Sequence, residues 1–282
     1  MSGPVLVTGA GGYIGRPVVA ELLALGHEVV ATDLRSDGLD PGARPIPADI
    51  LADDPDVFER LGRPEVLVHL AWSDGFVHDS PAHMGHLSAH SRFLGRMAAA
   101  GCRRVAVMGS MHEVGYHEGV IDQATPCAPL SQYGVAKNAL RQSMLLKAAA
   151  GGFDLFWLRA FYIVGDDARG SSIFAKLLQA AARGDQTFPF NSGRNQYDFI
   201  GLDQLARQIA AAASQTAVSG VINTCSGRPE ALGARVERFI ADHGLKLRLD
   251  YGAFPDRPYD SPLVYGDASK IEAIMAAQPP RG

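Results

Sequence analysis

A tyrosine and a lysine at helical spacing are the residues of this chain best suited to acid–base chemistry. Tyr133 and Lys137 stand four positions apart, which places both side chains on one face of a helix. A free phenol has a pKa of about 10 and exchanges protons poorly near neutrality. Because an ammonium beside it stabilises the phenolate, we expect Lys137 to lower the pKa of Tyr133 and make it a usable acid or base. Taken alone the motif is weak, since most such pairs are solvated neighbours on a helix.

A glycine-rich turn near the N-terminus strengthens this interpretation. The apolar run Val5 to Val7 is typical of a buried strand, and it is followed by Gly9, Gly12 and Gly15. A helical periodicity of apolar residues follows this turn, and Gly26 marks its end. The N-terminus of such a helix faces the pyrophosphate of a dinucleotide, so strand, glycine turn and helix together predict a dinucleotide site.

Asp33 bears on the choice of dinucleotide. It ends the second predicted strand, close to the place about 20 residues past the turn where a carboxylate binds the adenosine ribose hydroxyls. A carboxylate there repels a 2′-phosphate, which favours NAD over NADP. Arg35 follows two residues later and is able to pair with such a phosphate, so NADP stays an alternative.

The elements that must position these residues alternate between strand and helix up to about residue 164. We predict strands near 4–8, 28–33, 44–47, 65–70, 103–109 and 153–159, and long helices near 82–100 and 131–149. This alternation predicts an α/β fold with a doubly wound parallel sheet. Further helices are predicted near 172–183, 202–213 and 231–242. We therefore expect a dinucleotide-binding domain at 1–164 and a smaller C-terminal α/β substrate lobe at 165–282.

The complete set of motifs resembles the extended short-chain dehydrogenase/reductase family, which contains nucleotide-sugar epimerases, dehydratases and reductases on a Rossmann fold. The resemblance covers nearly the whole chain. Beyond the glycine turn and the tyrosine–lysine pair, it rests on Asp49 with Ile50, the run His69 to Trp72, the strand ending at Ser110, the run Leu158 to Phe161, the run Tyr197 to Ile200, the Arg257 to Asp260 element and the Asp267 to Lys270 stretch.

The resemblance assigns roles to particular residues. It implies an NAD site formed by Gly9, Gly12, Tyr13, Ile14, Gly15, Asp33, Asp49, Ile50, Leu70, Ala71, Trp72, Tyr133 and Lys137. It implies a catalytic group of Ser110, Tyr133 and Lys137, in which the serine hydroxyl binds the reacting oxygen and the lysine binds the nicotinamide ribose. It also implies a nucleotide-sugar substrate, with its contacts among Ser73, His112, Asn191, Arg194 and Arg257. The arginine of the last element, Arg257, is expected to bind the diphosphate.

The segment after Ser110 bears on which reaction is catalysed. Dehydratases of the family carry Thr-Asp-Glu there, whereas this chain has Met111 and His112 in the carboxylate positions. A shift of one residue brings Glu113 into place, but Met111 then replaces the hydroxyl residue. Either way the carboxylate pair is incomplete. The short chain and this segment resemble 4-keto-6-deoxysugar reductases and 6-deoxy-talose 4-dehydrogenases, so we expect a C4 reductase, with a nucleotide-sugar 4-epimerase as the alternative.

Composition narrows the other classes of function. A net charge of −4 gives no basic surface for nucleic acid, and no apolar run is long enough to predict a membrane span. Cys102, Cys127 and Cys225 are scattered without metal-binding spacing, so no metal site is expected. We expect a cytoplasmic protein. The two long helices resemble those that pair family subunits, which implies a homodimer.

Overall fold

The computed structural model describes residues 3–35, 37–75, 77–168, 170, 172–257 and 260–278. Its strands are β1 (Val5–Thr8), β2 (Val29–Thr32), β3 (Arg44–Pro45), β4 (Val66–His69), β5 (Arg104–Ser110), β6 (Gly119–Ile121), β7 (Asp154–Ala160), β8 (Tyr162–Val164), β9 (Thr187–Phe190), β10 (Gln196–Gly201), β11 (Gly220–Thr224), β12 (Pro229–Ala231), β13 (Arg248–Tyr251) and β14 (Leu263–Gly266). Its helices are α1 (Gly15–Ala24), α2 (Val57–Arg60), α3 (Ala82–Ala100), α4 (Gln132–Ala149), α5 (Ile173–Ala182), α6 (Leu202–Ala213), α7 (Leu232–Asp242) and α8 (Ser269–Ala276). A 3₁₀ turn follows β5 at Met111–Glu113.

The larger sheet is parallel throughout, with the strand order β11-β7-β5-β4-β1-β2-β3. Its central strands are buried along their whole length, as expected for a sheet covered by helices on both faces. The direction of winding reverses between β1 and β4. In sheets of this kind ligands bind beyond the carboxyl ends of the strands at such a reversal. The predicted α/β, doubly wound Rossmann architecture is confirmed.

The C-terminal part of the chain does not stay apart from this sheet. Strand β11 pairs with β7 as the last strand of the larger sheet, and α6 packs against α1 on one of its faces. The sequence analysis predicted α6 but not the return of β11, because a short apolar strand does not reveal which sheet it joins. The predicted domain boundary at residue 164 stays a prediction. In the fold, residues 202–224, which include α6 and β11, pack with the first unit.

The rest of the C-terminal part builds a smaller layer. Strands β12, β10, β14 and β6 form a mixed sheet, β8 pairs with β10, and β13 pairs with β9. Helices α5 and α7 cover a separate apolar cluster that includes Phe174, Phe190 and Phe239. A cavity of about 1270 Å³ lies between this layer and the carboxyl edge of the larger sheet. Residues of β5 and α4 meet residues of β9 and β10 there.

The described helices include none that is long and apolar enough to cross a membrane. Within the same described residues, no three or more His, Cys, Asp or Glu side chains are grouped so as to hold a metal ion.

Candidate active site

The glycine turn between β1 and α1 leaves no room for side chains. Gly9 has a φ of +67°, and a Cβ on it would lie 2.7 Å from the main-chain nitrogen of Ala71. A Cβ on Gly15 would overlap the carbonyl oxygen of Gly9, whereas Gly12 is exposed. No described side chain caps the N-terminus of α1. The bare main chain at a helix N-terminus fits the pyrophosphate of a dinucleotide, as the sequence predicted.

The predicted ribose carboxylate is fixed at the end of β2. Asp33 accepts hydrogen bonds from the main-chain N–H of Gly11 at 3.0 Å and of Leu34 at 2.8 Å. These bonds aim the carboxylate across the glycine turn. Ile50 is buried in the core, and Asp49 is exposed and accepts a hydrogen bond from the Leu51 N–H at 2.9 Å. The ribose and adenine roles of these residues stay predictions.

The structure brings Ser110, Tyr133 and Lys137 together at the carboxyl edge of the larger sheet. Ser110 ends β5, and its hydroxyl lies close enough to the phenol of Tyr133 to lower the pKa of that phenol. Helix α4 begins beside it because Ser131 caps the helix, accepting from the Gly134 N–H at 3.1 Å. The Lys137 ammonium donates to the carbonyl oxygen of Met108 at 2.8 Å. Ser110 and Tyr133 line the cavity, and Lys137 lies beneath them with 2% of its surface exposed.

The pKa of Tyr133 differs from the one that the sequence predicted. Burial raises the pKa of Tyr133 to about 12, the negative charge of Glu113 adds to the rise, and the hydroxyl of Ser110 offsets part of it. Burial lowers the pKa of Lys137 to about 7, against the opposing effect of Glu113. The phenol is therefore protonated at neutral pH and able to donate a proton. The lysine lies 5.8 Å from the phenol ring centroid, and the predicted lowering of the tyrosine pKa is wrong for this structure.

Glu113 lies behind Ser110, outside the cavity lining. Its carboxylate accepts from the Ser110 main-chain N–H at 2.7 Å and from the indole N–H of Trp157 at 2.9 Å. The guanidinium of Arg159 lies 3.4 Å away, and that of Arg141 lies 3.6 Å away. All these contacts fix the end of β5, and none leaves the carboxylate facing a substrate. Glu113 thus supplies no acid or base to the cavity.

The carboxylate of Glu113 occupies space that a side chain at position 109 would need. A Cβ on Gly109 would overlap the indole nitrogen of Trp157 and lie 2.7 Å from Glu113 Oε1. The glycine is required because the carboxylate and the indole fill the space of a side chain. Met111 and His112 line the cavity instead, so no carboxylate follows Ser110 into it.

Two histidines flank the phenol on the cavity side. The ring of His78 stacks on Tyr133 with centroids 5.5 Å apart and planes at 11°, and His112 meets His78 edge-on at 4.4 Å. The main-chain N–H of Tyr133 also donates to the carbonyl of His78 at 2.8 Å. Burial lowers the pKa of His112 to about 4, so the ring is neutral near pH 7. Sequence analysis placed His112 among the substrate residues but gave His78 no contact with the tyrosine.

The remaining predicted substrate residues divide into two groups. Asn191 and Arg257 line the cavity, opposite Tyr133. Ser73 and Arg194 are exposed residues outside its lining. The two middle residues of the predicted diphosphate-binding element, 258 and 259, lie outside the described residues. The substrate role of all four residues stays a prediction.

Several aromatic residues of the smaller layer line the cavity and were missed by the sequence analysis. No spacing marks them, because their only common property is their position in the folded chain; they are Tyr162, Phe174, Phe188 and Phe254.

The predicted coenzyme residues divide into those that line the cavity and those that do not. Tyr13 and Ile14 line the cavity, while Trp72, next to Leu70 and Ala71 after β4, turns its ring away between α3 and α4.

Comparison with known proteins agrees with this arrangement. The model of the NAD dependent epimerase/dehydratase family matches residues 5–225. A dTDP-6-deoxy-L-talose 4-dehydrogenase (NAD(+)) of Aggregatibacter actinomycetemcomitans is 44% identical over 93% of this chain and 98% of its own. An NAD(P)(+) enzyme of the same name from Kitasatospora kifunensis is 26% identical over 89% of this chain and 83% of its own.

A solved structure, MoeE5 in complex with UDP-glucuronic acid and NAD, superposes with a TM-score of 0.82 at 27% identity, over 99% of this chain and 95% of its own. The resemblance found in the sequence is confirmed. On the family match, the long alignment and the site geometry, the chain belongs to the NAD dependent epimerase/dehydratase family, within the extended short-chain dehydrogenases/reductases.

Proposed function

We propose that the protein is an NAD(H)-dependent oxidoreductase that acts at C4 of a nucleotide-diphospho-4-keto-6-deoxyhexose. The observation that carries this proposal is the position of Tyr133 beside Ser110 at the cavity wall, with no carboxylate in the two residues that follow Ser110 into the cavity. Such a site can protonate a carbonyl oxygen, and it lacks the two carboxylates that dehydratases of the family carry directly after this position. The 44% identity to a dTDP-6-deoxy-L-talose 4-dehydrogenase (NAD(+)) supports the choice of sugar class.

The mechanism follows from the chain's own groups. The bound NAD(H) would supply the hydride donor or acceptor, held at the glycine turn and Asp33. Ser110 would donate a hydrogen bond to the substrate O4 and orient it. In the reductive direction Tyr133 would give its proton to the same oxygen, and in the oxidative direction it would take that proton back. Lys137, beneath the phenol, would contribute positive charge and bind the coenzyme ribose.

The raised pKa of Tyr133, about 12, means that the phenol holds its proton across the whole neutral range in the protein without coenzyme. Oxidation would require a phenolate, which the lysine charge would have to stabilise.

Incubation of the purified protein with NADH and a freshly prepared dTDP-4-keto-6-deoxyhexose tests the proposal through the fall in NADH absorbance. We expect wild-type turnover, and in Tyr133→Phe a fall in kcat of at least about 100-fold, because the proton donor is lost. Tyr251→Phe is the matched control, since this phenol bonds to Glu237 outside the cavity lining and its loss should leave turnover unchanged.

Two outcomes would contradict the proposal. Equal turnover in Tyr133→Phe would remove the tyrosine from the chemistry. No NADH oxidation with dTDP- or GDP-linked sugars, together with interconversion of UDP-hexoses by protein-bound NAD, would instead assign a 4-epimerase. The same assay with NADPH tests whether Asp33 selects NAD.

A homodimer and a cytoplasmic location are further proposals. The face formed by α3 and α4 supports the first, since Met84, Val135 and Leu146 are exposed there. Leu94, Met97 and Leu140 of the same two helices are buried in the core and do not contribute to this face. Sedimentation of the protein with and without a charge at Leu146 tests the dimer. The location is proposed because NAD(H) and sugar nucleotides are intracellular metabolites.

A further inference from the structure

Lys137 places its amino group in the protein interior, where no carboxylate of the described residues contacts it. Its side chain is 2% exposed, and its ammonium donates to one main-chain carbonyl, that of Met108. A buried ammonium requires compensating interactions, because desolvation favours the neutral amine. The second contact of the ammonium is an aromatic face: Nζ lies 3.7 Å from the centroid of the Trp72 ring.

The Trp72 ring is held in this position on its edge and on its face. Its indole N–H donates to Nδ1 of His83 at 3.0 Å, and Nε2 of His83 lies 2.9 Å from the carbonyl oxygen of Val77. Because Nδ1 accepts, His83 must carry its proton on Nε2 and donate it to that carbonyl. The ring also stacks on His90, with centroids 4.6 Å apart and planes at 14°.

Trp72 reaches the catalytic tyrosine as well as the lysine. Its ring meets that of Tyr133 edge-on, with centroids 6.2 Å apart and planes at 81°. An indole here fills the space between α3 and α4 and brings an electron-rich face against the ammonium.

We propose that Trp72 is a positioning residue for Lys137, whose ammonium it holds beneath Tyr133 through a cation–π contact in place of a carboxylate. An aspartate at this place would neutralise the lysine. The indole attracts the ammonium without contributing an opposite charge, so the positive charge stays available to the phenol and to a bound coenzyme. The proposal rests on the proposed function only for what Lys137 then does.

The groups that face Lys137 from the neighbouring elements agree with this role. From α4 comes the phenol of Tyr133, and from β4 and α3 come His69 and His90, both kept neutral by burial. From the turn after β5 comes the charge of Glu113, which acts on the lysine from a distance and is already engaged by Arg159. Together with the Met108 carbonyl, the ring of Trp72 is thus the contact that directly favours the ammonium.

The test measures the pKa of Lys137 in protein without coenzyme or substrate, by nuclear magnetic resonance of lysine labelled with carbon-13 at Cε and assigned with Lys137→Arg. Fluorinated tryptophans withdraw electron density from the ring face without changing its shape. We expect each added fluorine to lower the pKa of Lys137 further, and Trp72→Leu to lower it by about 1. Trp72→Phe should fall between, since a benzene face is weaker than an indole face.

The chain offers a matched control, because Trp72 and Trp157 are its 2 tryptophans. In Trp72→Phe protein, fluorination changes Trp157 alone and should leave the lysine titration unmoved. A lysine pKa that does not change through the fluorinated series would overturn the proposal, even if Trp72→Leu lost activity, because that loss would then be steric. Should Trp72→Leu fail to fold, the fluorinated series still decides. Since no substrate is involved, the outcome is independent of the sugar assigned above.

Discussion

Two buried regions, one behind Ser110 and one behind Tyr133, keep polar groups in place by opposite means. Behind Ser110 lies an ion network, in which the buried carboxylate of Glu113 faces two guanidinium groups; its members are Glu113, Arg141 and Arg159. Behind Tyr133 lies a ring array of uncharged side chains, joined by hydrogen bonds and stacking; its members are His69, Trp72, His83 and His90. The first region depends on every charge keeping its partner. The second depends on its histidines staying neutral.

The difference has a functional consequence. The ion network fixes the main chain of Ser110, which must hold one geometry whatever the charge of the substrate oxygen. The ring array surrounds Lys137, whose charge must remain available rather than be cancelled. A charged network suits the first task, and neutral rings suit the second.

Removing the carboxylate of the ion network should have the largest effect on stability. Glu113→Ala would leave the guanidinium of Arg159, which has no exposed surface, buried without its carboxylate. We expect the free energy of unfolding to fall by roughly 3–5 kcal/mol, as for other buried ion pairs that lose one partner. Urea unfolding at neutral pH measures this difference.

The matched control is a glutamate in an exposed ion pair. Glu59 contacts Arg63 on the surface, with both side chains more than half exposed. Glu59→Ala should change the free energy of unfolding by less than about 0.5 kcal/mol. Equal losses in the two variants would show that the network behind Ser110 has no special role.

A smaller loss of stability should follow from adding a methyl group beside the ion network. In Gly109→Ala the new methyl group would overlap the indole of Trp157 and crowd Glu113, so we expect a loss of about 1–3 kcal/mol. Gly85→Ala is the opposite case, because its Cβ would meet nothing within 4 Å on α3. That variant should gain about 0.5–1 kcal/mol from helix propensity. Thermal unfolding of both variants with the wild type compares them, and a neutral Gly109→Ala would contradict the packing described here.

The ring array should respond to pH rather than to a single missing partner. Burial lowers the pKa of His90 to about 3, with Lys137 adding to the effect, so the folded protein binds the proton more weakly than the unfolded chain. Stability from this group is complete above about pH 6.5 and falls as the pH drops, by up to about 1.4 kcal/mol per pH unit. His90→Phe keeps a ring against Trp72 and removes the titration. We therefore expect the unfolding free energy of His90→Phe to fall less steeply than that of the wild type between pH 6 and pH 4, with a slope smaller by up to about 1.4 kcal/mol per pH unit. Parallel curves for the two proteins would refute this prediction.

The parts of the site that the sequence predicted are those encoded by local spacing. Gly9, Gly12 and Gly15 stand in one turn, and Tyr133 and Lys137 stand one helical turn apart, so their geometry follows from the backbone of a single element. Ser110 was predictable because it ends a recognisable apolar strand. None of these required knowledge of a distant contact.

The parts that the sequence missed depend on partners far along the chain. The sequence brought Glu113 into a dehydratase carboxylate position only in one of two registers, and it did not reveal that Trp157 and Arg159, from β7, enclose this carboxylate. The coenzyme role of Trp72 stays a prediction, but the sequence did not reveal that His83 and His90 on α3 hold its ring against Lys137. The direction of the pKa of Tyr133 was missed for the same reason, since burial is a property of the folded chain.

The sequence by itself therefore determined the glycine turn, the alternation that builds the parallel sheet, and the side chains proposed for catalysis, because each depends on residue type and short-range spacing. Only the tertiary structure decided which of these side chains face the cavity and which carry charge there. Desolvation and pairing set the state of Tyr133, Lys137 and Glu113, and both depend on residues that β4, β5, β7, α3 and α4 bring together only when the chain has folded.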